Sequence, residues 1–227
     1  GADVINFTAA ATVTDVQFTN VTTFTTISAA AVAVNLTIGA QAKEAGITTI
    51  TLGNAANTVD ASAFTSTALT ITGGTSTDSI QGGTGADTLV GGDGADTYVF
   101  ASTAALNGID VLAANVVVAD DKLDFSAFLS GGTFHSSTAT EHDGSADVDI
   151  TNKVVLAATA DGGVVALDTA AEVLAELQGL GNAFEIQPGQ KGILIAGDNS
   201  AASAGAVIWF IDDTLDGTSG TVTATDI

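Results

Sequence analysis

The sequence predicts an all-β chain: a parallel β-roll or β-solenoid on glycine-rich turns, followed by a β-rich capping region with one short amphipathic helix. Three observations predict it. Residues 73–99 hold three consecutive copies of one nine-residue unit. Apolar and polar residues alternate through residues 8–72. Small and β-branched residues dominate, with 26 Gly and only 5% aromatics, a composition suited to many thin strands rather than thick helices.

The three units are Gly73-Gly74-Thr75-Ser76-Thr77-Asp78-Ser79-Ile80-Gln81, Gly82-Gly83-Thr84-Gly85-Ala86-Asp87-Thr88-Leu89-Val90 and Gly91-Gly92-Asp93-Gly94-Ala95-Asp96-Thr97-Tyr98-Val99, with Phe100 behind them. All fit Gly-Gly-x-Gly-x-Asp-x-apolar-x, and only Ser76, in a Gly place, departs from it. Glycine lets a six-residue loop take positive φ angles and pack closely on the loops above and below. The last three residues form a short strand whose middle side chain, Ile80, Leu89 or Tyr98, points inward. Backbone carbonyls and one carboxylate per loop make a hard-oxygen cage that suits Ca²⁺. Two units complete one coil, so loops eighteen residues apart stack: Asp78 and Asp96 face one Ca²⁺ together. Asp87 falls on the opposite side, where its expected stacking neighbours, near Leu69 and Ala105, offer no ligand side chain. Three in-register Asp and three in-register apolar residues argue against a flexible glycine-rich linker.

Before the repeats, Val16 and Phe18, then Val32, Val34, Leu36 and Ile38, then Ile50 and Leu52, then Leu69 and Ile71 read as short strands. Phe18, Leu36, Leu52, Ile71 and Leu89 are spaced by 18, 16, 19 and 18 residues, which predicts one inward column running into the roll. Gln41–Gly46 reads as a single helical turn closed by Gly46. Gly53–Asp60 resembles a degraded unit with Asn57 in the Asp place and a weak site at best. Asp60, eighteen residues before Asp78, reads equally as a helper ligand or a turn carboxylate. The opening Asp3-Val4-Ile5 has the second half of another unit, which predicts a longer parent chain, as does the Thr/Val pattern at Ile227.

The solenoid is assigned to residues 1–100 and a capping or assembly region to 101–227, where the period is lost. An apolar strand, Val116–Val118, lies between Asp110 and the run Asp120-Asp121-Lys122-Leu123-Asp124-Phe125-Ser126. Asp110, Asp121 and Asp124 read as turn carboxylates ahead of further ligands. His135 and Glu141-His142-Asp143 match no helix-borne zinc pair and read as a loop. Asp143, Asp147 and Asp149 precede a strand at Val154–Leu156. Residues 168–180 make the one helix, with Thr169 and Glu172 as capping box and Val173, Leu174, Leu177 and Leu180 as its apolar stripe. A hairpin-like region follows: Gly192–Gly197, a turn at Asp198-Asn199-Ser200, the strand Ala206–Ile211, then Asp212–Gly217, a candidate calcium loop that lacks the ligand spacing and terminal Glu of an EF-hand.

Four basic against 26 acidic residues give a net charge of −22. Such a surface repels nucleic acid and anionic membranes and attracts cations. No apolar run is long enough to span a bilayer, and no N-terminal signal peptide is visible. With no cysteine, metal takes the place of a disulfide as staple. No nucleophile elbow, zinc helix or phosphate loop is present, so no enzyme activity is expected.

The nonapeptides, Asp96–Phe100 and Asp120–Ser126 resemble the C-terminal part of RTX proteins exported by type I secretion, and Trp209–Asp213 resembles the segment before their export signal. The Thr- and Ala-rich coils of residues 8–72 look like the body of RTX-type bacterial surface-layer proteins. The resemblance implies a Gram-negative origin, an uncleaved C-terminal export signal, and folding outside the cell on meeting Ca²⁺. By motif match it implies Asp78, Asp87 and Asp96 as ligands, with loop oxygens from Gly73, Gly74, Thr75 and Ser76, from Gly82, Gly83, Thr84 and Gly85, and from Gly91, Gly92, Asp93 and Gly94. The expected role is a calcium-dependent structural segment at the cell surface, associating into a lattice or with the rest of its parent protein. The alternatives are the secretion and folding module of an exported hydrolase, or an adhesin.

Overall fold

The computed structural model describes residues 3–112, 121–129, 148–149, 154–157, 184–185, 191–197 and 206–212. The chain divides into two compact units, residues 1–101 with 105–125, and residues 102–104 with 126–227.

The first unit is a parallel β-roll. Twelve strands alternate between two six-stranded sheets. One sheet runs β1 (Asp3–Phe7), β3 (Phe24–Ala29), β5 (Thr49–Thr51), β7 (Thr70–Gly74), β9 (Thr88–Gly92) and β11 (Val111–Leu112). The other runs β2 (Ala11–Val13), β4 (Val34–Thr37), β6 (Thr58–Asp60), β8 (Ser79–Gln81), β10 (Thr97–Val99) and β12 (Lys122–Asp124). Each strand therefore pairs with the strand one coil away, and all these pairings are parallel.

Most strands are only three to five residues long, so most send one or two side chains inward. These make two facing columns. Ile27, Ile50, Ile71 and Leu89 are aligned in the first sheet. Val13, Leu36, Val59, Ile80 and Tyr98 are aligned in the second. All nine are buried, and β-branched chains predominate because they fill a narrow interior with little rotamer freedom to lose. Phe64 closes a turn, and Phe100 stacks on Phe125 with ring centroids 4.5 Å apart at the far end.

The coil length corrects the expected single column. Ile71 to Leu89 and Ile80 to Tyr98 are eighteen residues apart, as the repeats require. Upstream, Leu36 pairs with Val59 and Ile50 with Ile71, separations of 23 and 21. Phe18, Leu36, Leu52, Ile71 and Leu89 are all buried but do not share a column, since Leu36 lies in the sheet opposite Ile71 and Leu89. Insertions in the turns cause the drift. Asp15–Phe18 is a 3₁₀ turn rather than a strand, and its Val16 is 69% exposed. Ala40–Ala45 is helix α1, closed as expected by Gly46 at φ 94°. Lengthening a surface turn costs little while the inward columns stay in register.

The second unit contains β13 (Val148–Asp149) parallel to β15 (Phe184–Glu185), and β14 (Val154–Ala157) parallel to β16 (Lys191–Gly197). The expected hairpin is present: β16 pairs antiparallel with β17 (Ala206–Asp212), Lys191 opposite Asp212 and Gly197 opposite Ala206. Lys191 bridges Asp212 at 3.0 Å and lies 4.7 Å from the Phe128 ring centre. Val116–Val118, His135, Glu141–Asp143, the 168–180 helix and Asp213–Gly217 lie outside the described residues. Among the described residues, no helix is long and apolar enough to cross a membrane.

Candidate metal centre

Strand pairing fixes where each loop carboxylate falls. Loops 53–57, 75–78 and 93–96 leave the first sheet on one side of the roll; loops 61–69, 82–87 and 100–110 leave the second sheet on the other. On the first side, each side chain in the Asp place accepts a hydrogen bond from the backbone N–H of its counterpart one coil earlier. Asp78 Oδ1 accepts from Asn57 N–H at 2.8 Å, Asp96 Oδ1 from Asp78 N–H at 2.8 Å, and Asp121 Oδ1 from Asp96 N–H at 2.8 Å. On the second side, Asp87 Oδ1 accepts from Leu69 N–H at 2.7 Å and Asp110 Oδ1 from Asp87 N–H at 3.0 Å.

This arrangement corrects the expectation that Asp87 has no carboxylate above it. Its partner, Asp110, lies 23 residues on because the turn after β10 is longer and holds a 3₁₀ turn at Ala104–Leu106. Asp110 and Asp121 are column members, and β11 and β12 carry both sheets past Phe100. The missed signal was half a unit, Gly108-x-Asp110-x-Leu112. Asp124 stays out of the column, within β12 beside Val99. Asp60 ends β6 and holds the turn after it, its Oδ1 accepting from Ser62 N–H and Oγ–H.

The glycines do two jobs. A Cβ on Gly73, Gly82 or Gly91 would lie 2.5, 2.7 or 2.2 Å from Oδ2 of Asp78, Asp87 or Asp96, so the first place of each unit keeps the space beside its own carboxylate free. A Cβ on Gly74, Gly83 or Gly92 would meet the backbone carbonyl of Gly53, Phe64 or Gly74 at 2.0–2.2 Å, so the second place lets coils stack. Gly85 and Gly94 likewise press on the backbone of Thr67 and Ser76. Thr84 accepts from Ser66 N–H through Oγ1. Thr75 and Asp93 are exposed and Ser76 is half-buried; of these, Asp93 ties its backbone N–H to Gly74 O.

Asp78, Asp87 and Asp96 are at most 1% exposed, and burial raises the pKa of each above the usual carboxylate value. Asp110 is pushed up to about 7, first by burial and then by the charge of Asp87. The second oxygens differ. Asp78 Oδ2 accepts from Gly74 N–H at 2.9 Å and Asp87 Oδ2 from Gly83 N–H at 2.6 Å. Asp96 Oδ2 is buried with no hydrogen-bond partner.

A family model for the RTX calcium-binding nonapeptide repeat, in four copies, matches residues 70–101. This segment is an RTX repeat array. No curated protein matches the chain, and no solved structure does. RTX repeats bind calcium, and proteins that carry them are typically secreted. The residues here fit such an ion. An unpartnered buried carboxylate oxygen is a costly group that a hard cation would satisfy, and the space beside it is kept open by Gly91. Among the described residues no group of three or more His, Cys, Asp and Glu side chains converges. The remaining oxygens would come from the stacked loop backbones, as at Gly73, where Gly91 O and Asp78 Oδ2 border the same point.

Proposed function

We propose that this chain is a non-catalytic, calcium-binding structural segment of a secreted bacterial cell-surface protein of the surface-layer kind. Calcium drives its folding outside the cell and then its assembly. The observation that carries the calcium part is the buried, unpartnered Oδ2 of Asp96 in a column with Asp78 and Asp121. Asp78, Asp87 and Asp96 would hold the ions together with carbonyls of their glycine-rich loops. Each ion neutralises carboxylates that are otherwise buried close together, so metal binding and folding are one equilibrium. The structural part is supported by the roll itself, a stack that another coil can extend, and by the net charge of −22. Acidic faces on neighbouring copies repel until a divalent cation bridges them.

A calcium titration starting in chelator tests this reading, with circular dichroism, melting temperature and particle size followed together. Gain of β signal and melting temperature with growth of large ordered particles is the expected result. The same folding in a particle that stays monomeric would replace the lattice with a secretion and folding module of an exported hydrolase or adhesin. No response to calcium would end the calcium reading.

A further inference from the structure

Asn57 stands in the Asp place of the loop one coil before Asp78, and it is 3% exposed. Its Oδ1 does what the carboxylates do, accepting from the backbone N–H one coil earlier, at Val34, 3.0 Å. Its Nδ2 does something no carboxylate can. It donates into a cage of three oxygens: Ala55 O at 2.5 Å, Asp78 Oδ1 at 2.9 Å and Gly53 O at 3.2 Å. Two backbone carbonyls and one carboxylate, from two stacked loops, are the hard-oxygen set a loop of this kind offers a cation. Gly53 and Ala55 sit at the second and fourth places of their loop, and Gly53 lies directly against Gly74 of the next.

We propose that the Asn57 side-chain amide is a built-in substitute for a calcium ion. It fills the oxygen cage between loops 53–57 and 75–78, closes the calcium column at that end, and leaves the coils before it calcium-independent. The inference rests on reading the downstream loops as calcium loops. The contrast along the column supports it. Asp78 has both oxygens satisfied without metal, Oδ1 by the Asn57 main-chain and side-chain N–H groups and Oδ2 by Gly74 N–H. Asp96, one coil on, has an orphaned Oδ2. The demand for an ion therefore begins on the Asp96 side. The N-terminal coils become a folded edge on which the calcium-dependent coils pair, which removes the cost of starting a parallel sheet from nothing.

The test compares the 227-residue chain with Asn57→Asp, which keeps the Oδ1 acceptor for Val34. Calcium is the probe, counted by titration calorimetry, and amide hydrogen exchange is read with calcium and in chelator. The variant is expected to bind one ion more than wild type and to melt lower in chelator, with the loss recovered in calcium. In wild type, the Val34 and Asn57 amides should stay protected in chelator, whereas those of Asp78 and Asp96 should exchange at least about tenfold faster without calcium. Asn57→Ala, which removes the amide and adds no ligand, should gain no ion. Equal ion counts in wild type and Asn57→Asp, or an extra ion in Asn57→Ala, would overturn the inference. So would Val34 and Asn57 amides that open in chelator as readily as those of Asp78 and Asp96. The hydrogen-exchange arm stands even if Asn57→Asp fails to fold. A wild type that binds calcium beside an Asn57→Asp that gains none defeats this inference alone; a wild type that binds none defeats the RTX reading as well.

Discussion

The backbone N–H of Asp78 donates to Oδ1 of Asp96 at 2.8 Å, so the Asp78 and Asp96 side chains are tied through the main chain of one of them. Asp96 spends one oxygen on that bond and keeps the other, Oδ2, buried and unpartnered. Without metal this is an unfavourable place for a charge. Asp96→Asn keeps an acceptor for Asp78, removes the charge, and replaces the orphaned oxygen by an N–H donor that can reach carbonyls of its own loop, as Asn57 does in the equivalent place. In chelator the variant should therefore be more stable than wild type, by about 1–3 kcal/mol, the usual cost of an unsatisfied buried group. In millimolar calcium the order should reverse, because an amide is a weaker ligand than a carboxylate. Thermal melts of both proteins in both conditions decide the matter; an Asp96→Asn protein that is less stable in chelator contradicts the assignment.

Gly91, buried near the end of β9, has no room for a side chain. A Cβ there would lie 2.2 Å from Asp96 Oδ2 and 2.8 Å from the Tyr98 hydroxyl, which itself accepts from Gly91 N–H at 2.7 Å. Gly91→Ala should cost about 1–3 kcal/mol through overpacking and should weaken calcium binding at the same time. Thr77→Ala, at an exposed position of the preceding loop, should stay within about 0.5 kcal/mol of wild type. Chemical denaturation in calcium measures both, and equal midpoints would show that the space beside Asp96 is not needed.

The roll was readable in the sequence where its coils have no insertions. Between Ile71 and Tyr98 every unit has nine residues and two units make a coil, so the spacing of eighteen follows directly. Further upstream a short strand carries only one or two inward residues, and such a strand fixes no period by itself. Leu36 and Leu52 are both buried and both follow a plausible spacing, but β4 belongs to one sheet and Leu52 follows β5 of the other. Turn length, set by α1 and the 3₁₀ turn, decides which residues align, and a turn has no hydrophobic period to read. The Asp place was legible because glycine surrounds it. Asp110 was obscured because only Gly108 of the unit precedes it, and Asp121 because residues 116–120 hold no glycine, although the hydrogen bond to the coil before is the same.

Asp15 shows a contact that spacing could not disclose. Its Oδ1 accepts from Gly39 N–H at 2.7 Å and Ala42 N–H at 2.9 Å, and its Oδ2 from Gln41 N–H at 3.0 Å. The N-cap position of α1 is Gly39, which has no side chain to offer, so a carboxylate from the previous coil caps the helix instead. Asp15→Ala should cost about 1–2 kcal/mol with calcium binding at the downstream loops unchanged. A calcium affinity that falls along with stability would show that α1 and the repeats unfold as a single unit.

The dependence on pH should change sign with calcium. Burial, and after it the charge of Asp87, pushes the Asp110 carboxyl from an ordinary 3.8 up to about 7. Between those two values the folded, metal-free protein binds more protons than the unfolded chain. The stabilisation is therefore fully present below pH 4 and lost as pH rises through about 7. Burial raises Asp78, Asp87 and Asp96 in the same direction. In chelator, the melting temperature should be higher at pH 5 than at pH 8. Relief of general repulsion at a net charge of −22 also favours the lower pH, so the specific test is Asp110→Asn. That variant keeps the acceptor for Asp87 N–H, and its melting temperature should vary less between pH 5 and 8 than that of wild type. In millimolar calcium the cation holds its ligands ionised and protons compete with it, so wild type should be more stable at pH 8 than at pH 5. A chelated protein whose melting temperature rises with pH over this range would show that the column is not strained by its own charge.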